Sequence, residues 1–210
     1  MRVMTTKTVL MAALMAMGIG VLQGQAPQGP PPGGAPGPGG GRPGGGGRGG
    51  PPMLMTTTAF EDGGIVPQKF SMMAQPSTSP EIKWTNVPAA TQSLLLIMHD
   101  EENNPTRGTR TDATHWIIWN IPPSATGLPE GLPMGDLPDG SKQQGFRGAG
   151  YTGPGAGPNY FHHYIWELFA LDIKLDLPAG NANATREAVN QMADGHVLAK
   201  AVLTSRYHAP

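Results

Sequence analysis

Cysteine is absent from the 210-residue chain. No disulfide can brace the fold, no thiol can carry a lipid anchor, and no cysteine nucleophile is available. Charge is sparse as well: 14 Lys and Arg stand against 15 Asp and Glu, for a net charge of −1. A near-neutral chain has no electrostatic footprint for nucleic acid. No Ser sits in a Gly-x-Ser-x-Gly elbow, which removes the most legible hydrolase signature. The chain has no internal repeat, and strand-like runs do not alternate with helical ones, so a parallel βαβ sheet is not indicated.

Glycine and proline are plentiful, at 31 and 23 residues, and they are concentrated near the N-terminus. Residues 1–26 read as a secretory signal: Arg2 and Lys7 precede an uncharged apolar run from Val9 to Leu22. That run is shorter than the roughly 20 residues a membrane span requires. Gly24 and Ala26 place small residues before a cleavage point ahead of Pro27. Residues 27–52 are almost wholly Gly and Pro, with Arg42 and Arg48 as the charges. Such a stretch has no apolar surface to offset its ordering entropy and reads as a disordered spacer. Two arginines are too few for a nucleic-acid arm, and Gly lacks the period of three that collagen needs. The expectation is an exported, periplasmic or secreted protein with no transmembrane span in its mature form.

Residues 53–210 have the length of one domain. Short β-prone runs appear at 56–60, 65–67 and 69–73, and Glu81-Ile82-Lys83-Trp84 alternates as a half-buried strand does. Ser93 to Met98 and Thr114 to Ile121 are continuous apolar runs, predicting strands buried on both faces. Residues 122–150 read as loop. Phe161 to Leu171 and His196 to Ser205 are further strands, and a helix is predicted near 184–193, ended by Gly195. The sum is a mainly β, mainly antiparallel domain. Trp84, Trp116, Trp119 and Trp166 read as core.

Three strand ends carry ionisable groups: His99 to Glu102, His115, and His162 to Tyr164. Strand alternation puts His162 and Tyr164 on one face and His163 on the other. Beside them, Tyr151 to Pro158 is a Gly/Pro loop whose N–H groups could help cradle an anion. His99, Asp100, Glu101 and Glu102, with His115 or His162, also form a ligand-rich set for a metal, although residues alternating along a strand cannot all converge.

These pieces together resemble the phosphatidylethanolamine-binding protein family, in its bacterial Raf-kinase-inhibitor-like branch. The resemblance runs from Phe60 to Tyr207. It rests on Ser79-Pro80 with Trp84 and Val87-Pro88, on Asp100 to Glu102 after an apolar strand, and on His115-Trp116 with Asn120-Ile121-Pro122. Gly150-Tyr151 with Gly153-Pro154, His162-x-Tyr164 with Ala170-Leu171-Asp172, and Gly195-His196-x-Leu198-Ala199 complete it. The resemblance implies a large antiparallel sheet packed on a smaller one, with one or two helices at the edge.

It also implies a small anion pocket for phosphate-type or phospholipid head groups, built from Asp100, Glu102, His115, Gly153, Pro154, His162 and Tyr164. Asp100 would fix and charge His115, which would share the anion with His162. No cofactor and no catalysis are expected. An inhibitor or protein-interaction role through surface loops is the alternative, ahead of a metal-binding protein or a hydrolase. This chain departs from the family pattern where Asp-Pro-Asp-Ala-Pro becomes Asp100-Glu101-Glu102-Asn103-Asn104. Its middle Arg becomes His163, and Cys-Pro-Pro becomes Gly155-Ala156-Gly157-Pro158.

Overall fold

Two strands without a polar face form the centre of the molecule. A computed structural model describes residues 50–177, 180 and 182–210; the expected signal segment, and the spacer through residue 49, lie outside the described residues. β1 (Leu54–Thr56), β2 (Gly64–Ile65), β3 (Ile82–Thr85), β4 (Ser93–Asp100) and β5 (Ala113–Ile121) come first along the chain. β6 (Gly127–Leu128), β7 (Lys142–Gly145), β8 (His162–Leu171), α1 (Ala182–Ala193) and β9 (Val197–Tyr207) follow. They form a six-stranded sheet in the order β2-β9-β8-β4-β5-β7 and a three-stranded sheet in the order β1-β3-β6. All pairings are antiparallel except β2 with β9. The mainly β fold with a large and a small sheet is therefore as expected.

β4 is buried at every position because it lies between two cores. Leu94, Leu96 and Met98 join Trp116, Ile118, Trp166 and Leu168 in a core that also takes Met55, Ile82 and Trp84 from the small sheet. Leu95 and Ile97 join Ile117 and Trp119 in a second core, closed by Val189 and Ala193 of α1. The helix buries Ala182, Thr185, Val189 and Ala193, one stripe at helical spacing. Asn183 accepts a bond from the Thr114 N–H at 2.8 Å, fastening the helix to β5. Gly195, at φ +83°, adopts the left-handed conformation that stops it.

Local differences from the sequence expectation have simple causes. The run 69–73 is not a strand: Gln68–Phe70 makes a 3-10 turn, and Phe70 alone is buried from it. The β-prone start lies earlier, at Leu54–Thr56, because Met55 pairs with Trp84 across the small sheet. Residues 122–150 hold β6 and β7, whose few residues carry no long apolar pattern.

Candidate functional site

β4 ends in two ionisable neighbours, which must face opposite sides of the sheet. Asp100 continues the line of Leu94, Leu96 and Met98 toward the small-sheet side, whereas His99 continues that of Leu95 and Ile97 toward α1. On β8, Tyr164 pairs with Asp100 in register, and His162 shares the face of Tyr164.

His115 reaches the same place through an irregularity. Met98 pairs with Trp116, but His99 pairs with Thr114, so His115 is an extra residue in β5. A β-bulge of this kind re-aims a side chain. Strict alternation would put His115 with Ile117 on the helix side. Instead its ring meets Tyr164 edge-on at 5.2 Å and stacks on Phe146 at 5.8 Å.

The Gly/Pro loop fixes the orientation of that ring. Nδ1 of His115 lies 3.2 Å from the Thr152 carbonyl oxygen and 3.1 Å from that of Gly153. Both are acceptors, so Nδ1 carries a hydrogen. The loop can approach this closely because residue 153 is glycine: a Cβ there would stand 2.2 Å from the Phe70 carbonyl oxygen. Pro154 is buried, and its carbonyl accepts the Met72 N–H at 2.9 Å, which ties the loop to the 3-10 turn.

Asp100, 2% exposed, is the hub. Its carboxylate accepts the His162 Nδ1–H at 2.8 and 2.9 Å and the backbone N–H groups of Glu102 and Asn103 at 3.0 and 3.1 Å. Nε2 of His115 stands 3.7 Å from Asp100 Oδ2, an ion-pair separation too long for a hydrogen bond. Burial works to raise the Asp100 pKa, but His115 and His162 outweigh it and hold the carboxyl below its ordinary value. The Tyr164 hydroxyl is pushed far above its usual range, first by burial and then by the Asp100 charge. That hydroxyl accepts the Gly155 N–H at 3.1 Å.

Six of the seven predicted site residues thus converge or support the convergence: Asp100, His115, Gly153, Pro154, His162 and Tyr164. Two details differ from expectation. Asp100 bonds directly to His162, while His115 is held mainly by the loop carbonyls. Among the loop N–H groups expected to help cradle an anion, that of Gly155 is occupied by Tyr164. Glu102 turns to the rim, 37% exposed, where it accepts the His163 backbone N–H at 2.7 Å and lies 2.6 Å from His163 Nδ1. One ligand atom each from Asp100, Glu102 and His162 falls within 4.8 Å of the others. The Glu102 member of that group already accepts two bonds from His163. Sizeable depressions lie elsewhere, one of about 630 Å³ beside α1 among them, but none of those described gathers buried imidazoles on a buried acid.

Sequence reasoning did not separate a second group on the other face of the sheet. His99 Nδ1 lies 2.5 Å from Asp112 Oδ2 and its Nε2 3.5 Å from Glu167; Arg186 of α1 pairs with Asp112, and Lys200 of β9 with Glu167. Asp112 stands outside every strand and motif, so only the fold reveals its role.

A two-sheet β domain with a buried His–Asp–His cluster at one sheet rim is, as a class, a binding protein. The chain belongs to the phosphatidylethanolamine-binding protein family: the family profile of that description matches residues 56–208. It is similar to the UPF0098 protein of Methanothermobacter thermautotrophicus, 40% identical over 159 residues, which are 74% of this chain and 98% of that one. Among solved structures it resembles the putative phosphatidylethanolamine-binding protein homolog CT736 of Chlamydia trachomatis. That match has a TM-score of 0.65 and 29% identity, over 76% of this chain and 99% of that one. Escherichia coli YbcL, described as a new member of the mammalian family, matches with a TM-score of 0.64 and 25% identity, over 75% of this chain and 99% of its own.

Proposed function

We propose that this chain is an exported binding protein whose rim cleft takes a small anion of the phosphate type, free or as a head group, without catalysing its conversion. One observation carries the reading. His162 is braced by Asp100 at 2.8 Å through Nδ1, and its Nε2 has no hydrogen-bond partner among the described residues. A protonated imidazole held in this way presents its second N–H to a ligand, and a charge-assisted bond to a phosphate oxygen is short and strong. The similarity to proteins named for phosphatidylethanolamine binding supports the same ligand chemistry. Export rests on the N-terminal sequence. Among the described residues no helix is long and apolar enough to cross a membrane.

The test is native mass spectrometry of the full chain against a panel of phosphate esters and phospholipids, repeated on His115→Ala and His162→Ala. Retention of a phosphate-type ligand by the unaltered chain, lost in both variants, is expected. Retention unchanged in both variants would place the ligand elsewhere. A second reading is favoured by Phe146, 45% exposed, and Tyr160, 61% exposed, which stack on His115 and His162. Exposed aromatic rings flanking a cleft are also what a protein partner would bury.

A further inference from the structure

The arginines of the described residues divide into two kinds. Arg186 bonds Asp112, and Arg206 bonds the Gly63 carbonyl. Arg107, Arg110 and Arg147 are exposed, and their side chains meet no acid or other acceptor among the described residues. All three stand at one rim. The loop from Asp100 of β4 to Ala113 of β5 carries Arg107 and Arg110, and the segment from Gly145 of β7 to His162 of β8 carries Arg147. These strands are antiparallel neighbours in the order β8-β4-β5-β7, so both connections leave the sheet at the same end. The acids of that end are engaged: Asp112 with Arg186 and His99, Glu101 with His99, Glu102 with His163, and Asp100 with His162. The three guanidiniums are the charges left unattached.

Large apolar side chains are held out to water at the same rim. Phe146 precedes Arg147, and Tyr160 stacks on His162. Met134, 64% exposed, lies over Gly150, its Sδ 2.4 Å from where a Cβ would stand. Exposed rings alone would suit a protein partner. Unattached guanidiniums beside them favour a bilayer instead. Its interface takes amphipathic rings to the depth of the head groups, while long cationic stems reach the phosphates around them. We propose that this rim docks on the surface of an anionic phospholipid bilayer, with Phe146, Tyr160 and Met134 entering the interface and Arg107, Arg110 and Arg147 on the lipid phosphates. The surface goes beyond the anion reading of the cleft and does not require it, because charge attraction and burial of rings act whether or not a head group enters. Each Arg near an anionic surface favours partition about fivefold. Three give about 100-fold, less as salt screens them.

The experiment places an indole at the rim of the full chain, as Phe146→Trp and separately as Tyr160→Trp, and titrates it with vesicles whose acyl chains are brominated. The native tryptophans are all buried, so quenching reports contact of this rim, whatever residues 9–22 contribute to vesicle binding. Vesicles of phosphatidylcholine alone are compared with vesicles that also contain phosphatidylglycerol. Quenching by the anionic vesicles at a lipid concentration at least about tenfold lower, with the gap narrowing in high salt, is expected. Adding Arg107→Gln, Arg110→Gln and Arg147→Gln should abolish the gap. Quenching of neither indole overturns the proposal and leaves the exposed rings to a protein partner. Equal quenching by both vesicles, or a gap kept in full by the triple substitution, overturns it as well. Two probe positions guard against one that does not fold. Titration of the unaltered chain with inorganic phosphate tests the cleft separately: phosphate binding without quenching sinks the bilayer surface alone, and quenching without phosphate binding sinks the cleft reading alone.

Discussion

His99 should make the stability of this protein fall in alkali. Its side chain is 11% exposed and lies against Asp112 and Glu167. Burial works against the imidazolium, but the bonds to Asp112 and Glu167 overcome that and push its pKa up from 6.5 to about 9. The same contacts, with Arg186 and Lys200, draw Asp112 and Glu167 down to about 2. A proton held more tightly in the fold than in the unfolded chain stabilises the fold fully below pH 6.5, and that stability is lost as pH rises through about 9. The difference corresponds to about 3 kcal/mol. The carboxylate side describes the same bonds from the other partner and is not added to it. Urea unfolding of the full chain, followed by tryptophan fluorescence at pH 6 and pH 9.5, should show that loss as a fall in midpoint of about 1.5 M. His99→Gln should be less stable at pH 6 and should lose most of the difference between the two pH values. The reasoning fails if His99→Gln keeps the pH sensitivity of the unaltered chain.

Other consequences are equally direct. Gly153→Ala should destabilise by about 2–4 kcal/mol and weaken phosphate binding, because the added carbon meets the Phe70 carbonyl at 2.2 Å and displaces the loop that orients His115; thermal unfolding and titration with phosphate check both halves. Glu102→Ala should leave phosphate affinity within about threefold, since its carboxylate is bonded to His163 at the rim; a larger loss would put Glu102 in the cleft. Asn120 holds φ 58° and exchanges two bonds with Leu175, at 2.7 and 2.8 Å. Asn120→Ala should therefore cost about 2–3 kcal/mol in urea unfolding, and Asn120→Gly less, because glycine tolerates the backbone.

Strand identity was legible where packing leaves a pattern. Ser93 to Met98 and Thr114 to Ile121 read as two-sided strands because each contributes to both cores. Ile82 and Trp84 alternate with exposed residues because one face of β3 meets water. β6 and β7 left no such trace. Gly127–Leu128 is too short for a period, and the middle of Lys142–Gly145 is two glutamines. Gln143 is buried because its amide reaches the Pro133 and Gly135 carbonyls and its oxygen accepts from Trp116. A buried strand made of hydrogen bonds between side chains and backbone does not look apolar. The run 69–73 failed for the opposite reason, since local β propensity yields to whichever tertiary contacts are available.

The site shows how far strand parity alone can go. Alternation correctly separates His162 from His163; the structure adds the same division between Asp100 and His99 on β4, which the sequence reading keeps as one group, and that second separation divides the chemistry of the molecule. One face receives an acid held ready beside imidazoles, and the other receives a closed network of ion pairs that clamps α1. Parity then misplaces His115, which by counting from Ile117 belongs to the helix side. The extra residue in β5 reverses it. Nothing in Thr114-His115-Trp116 announces a bulge, because the signal is relational: it lies in how many residues β4 offers opposite them. The same bulge brings Nε2 of His115 to 3.7 Å from Asp100 with its other nitrogen already bonded. A ring on a regular strand would have faced the helix and left Asp100 to His162 alone. The meeting of His115 with Asp100 thus follows from one inserted position in a strand otherwise devoted to packing.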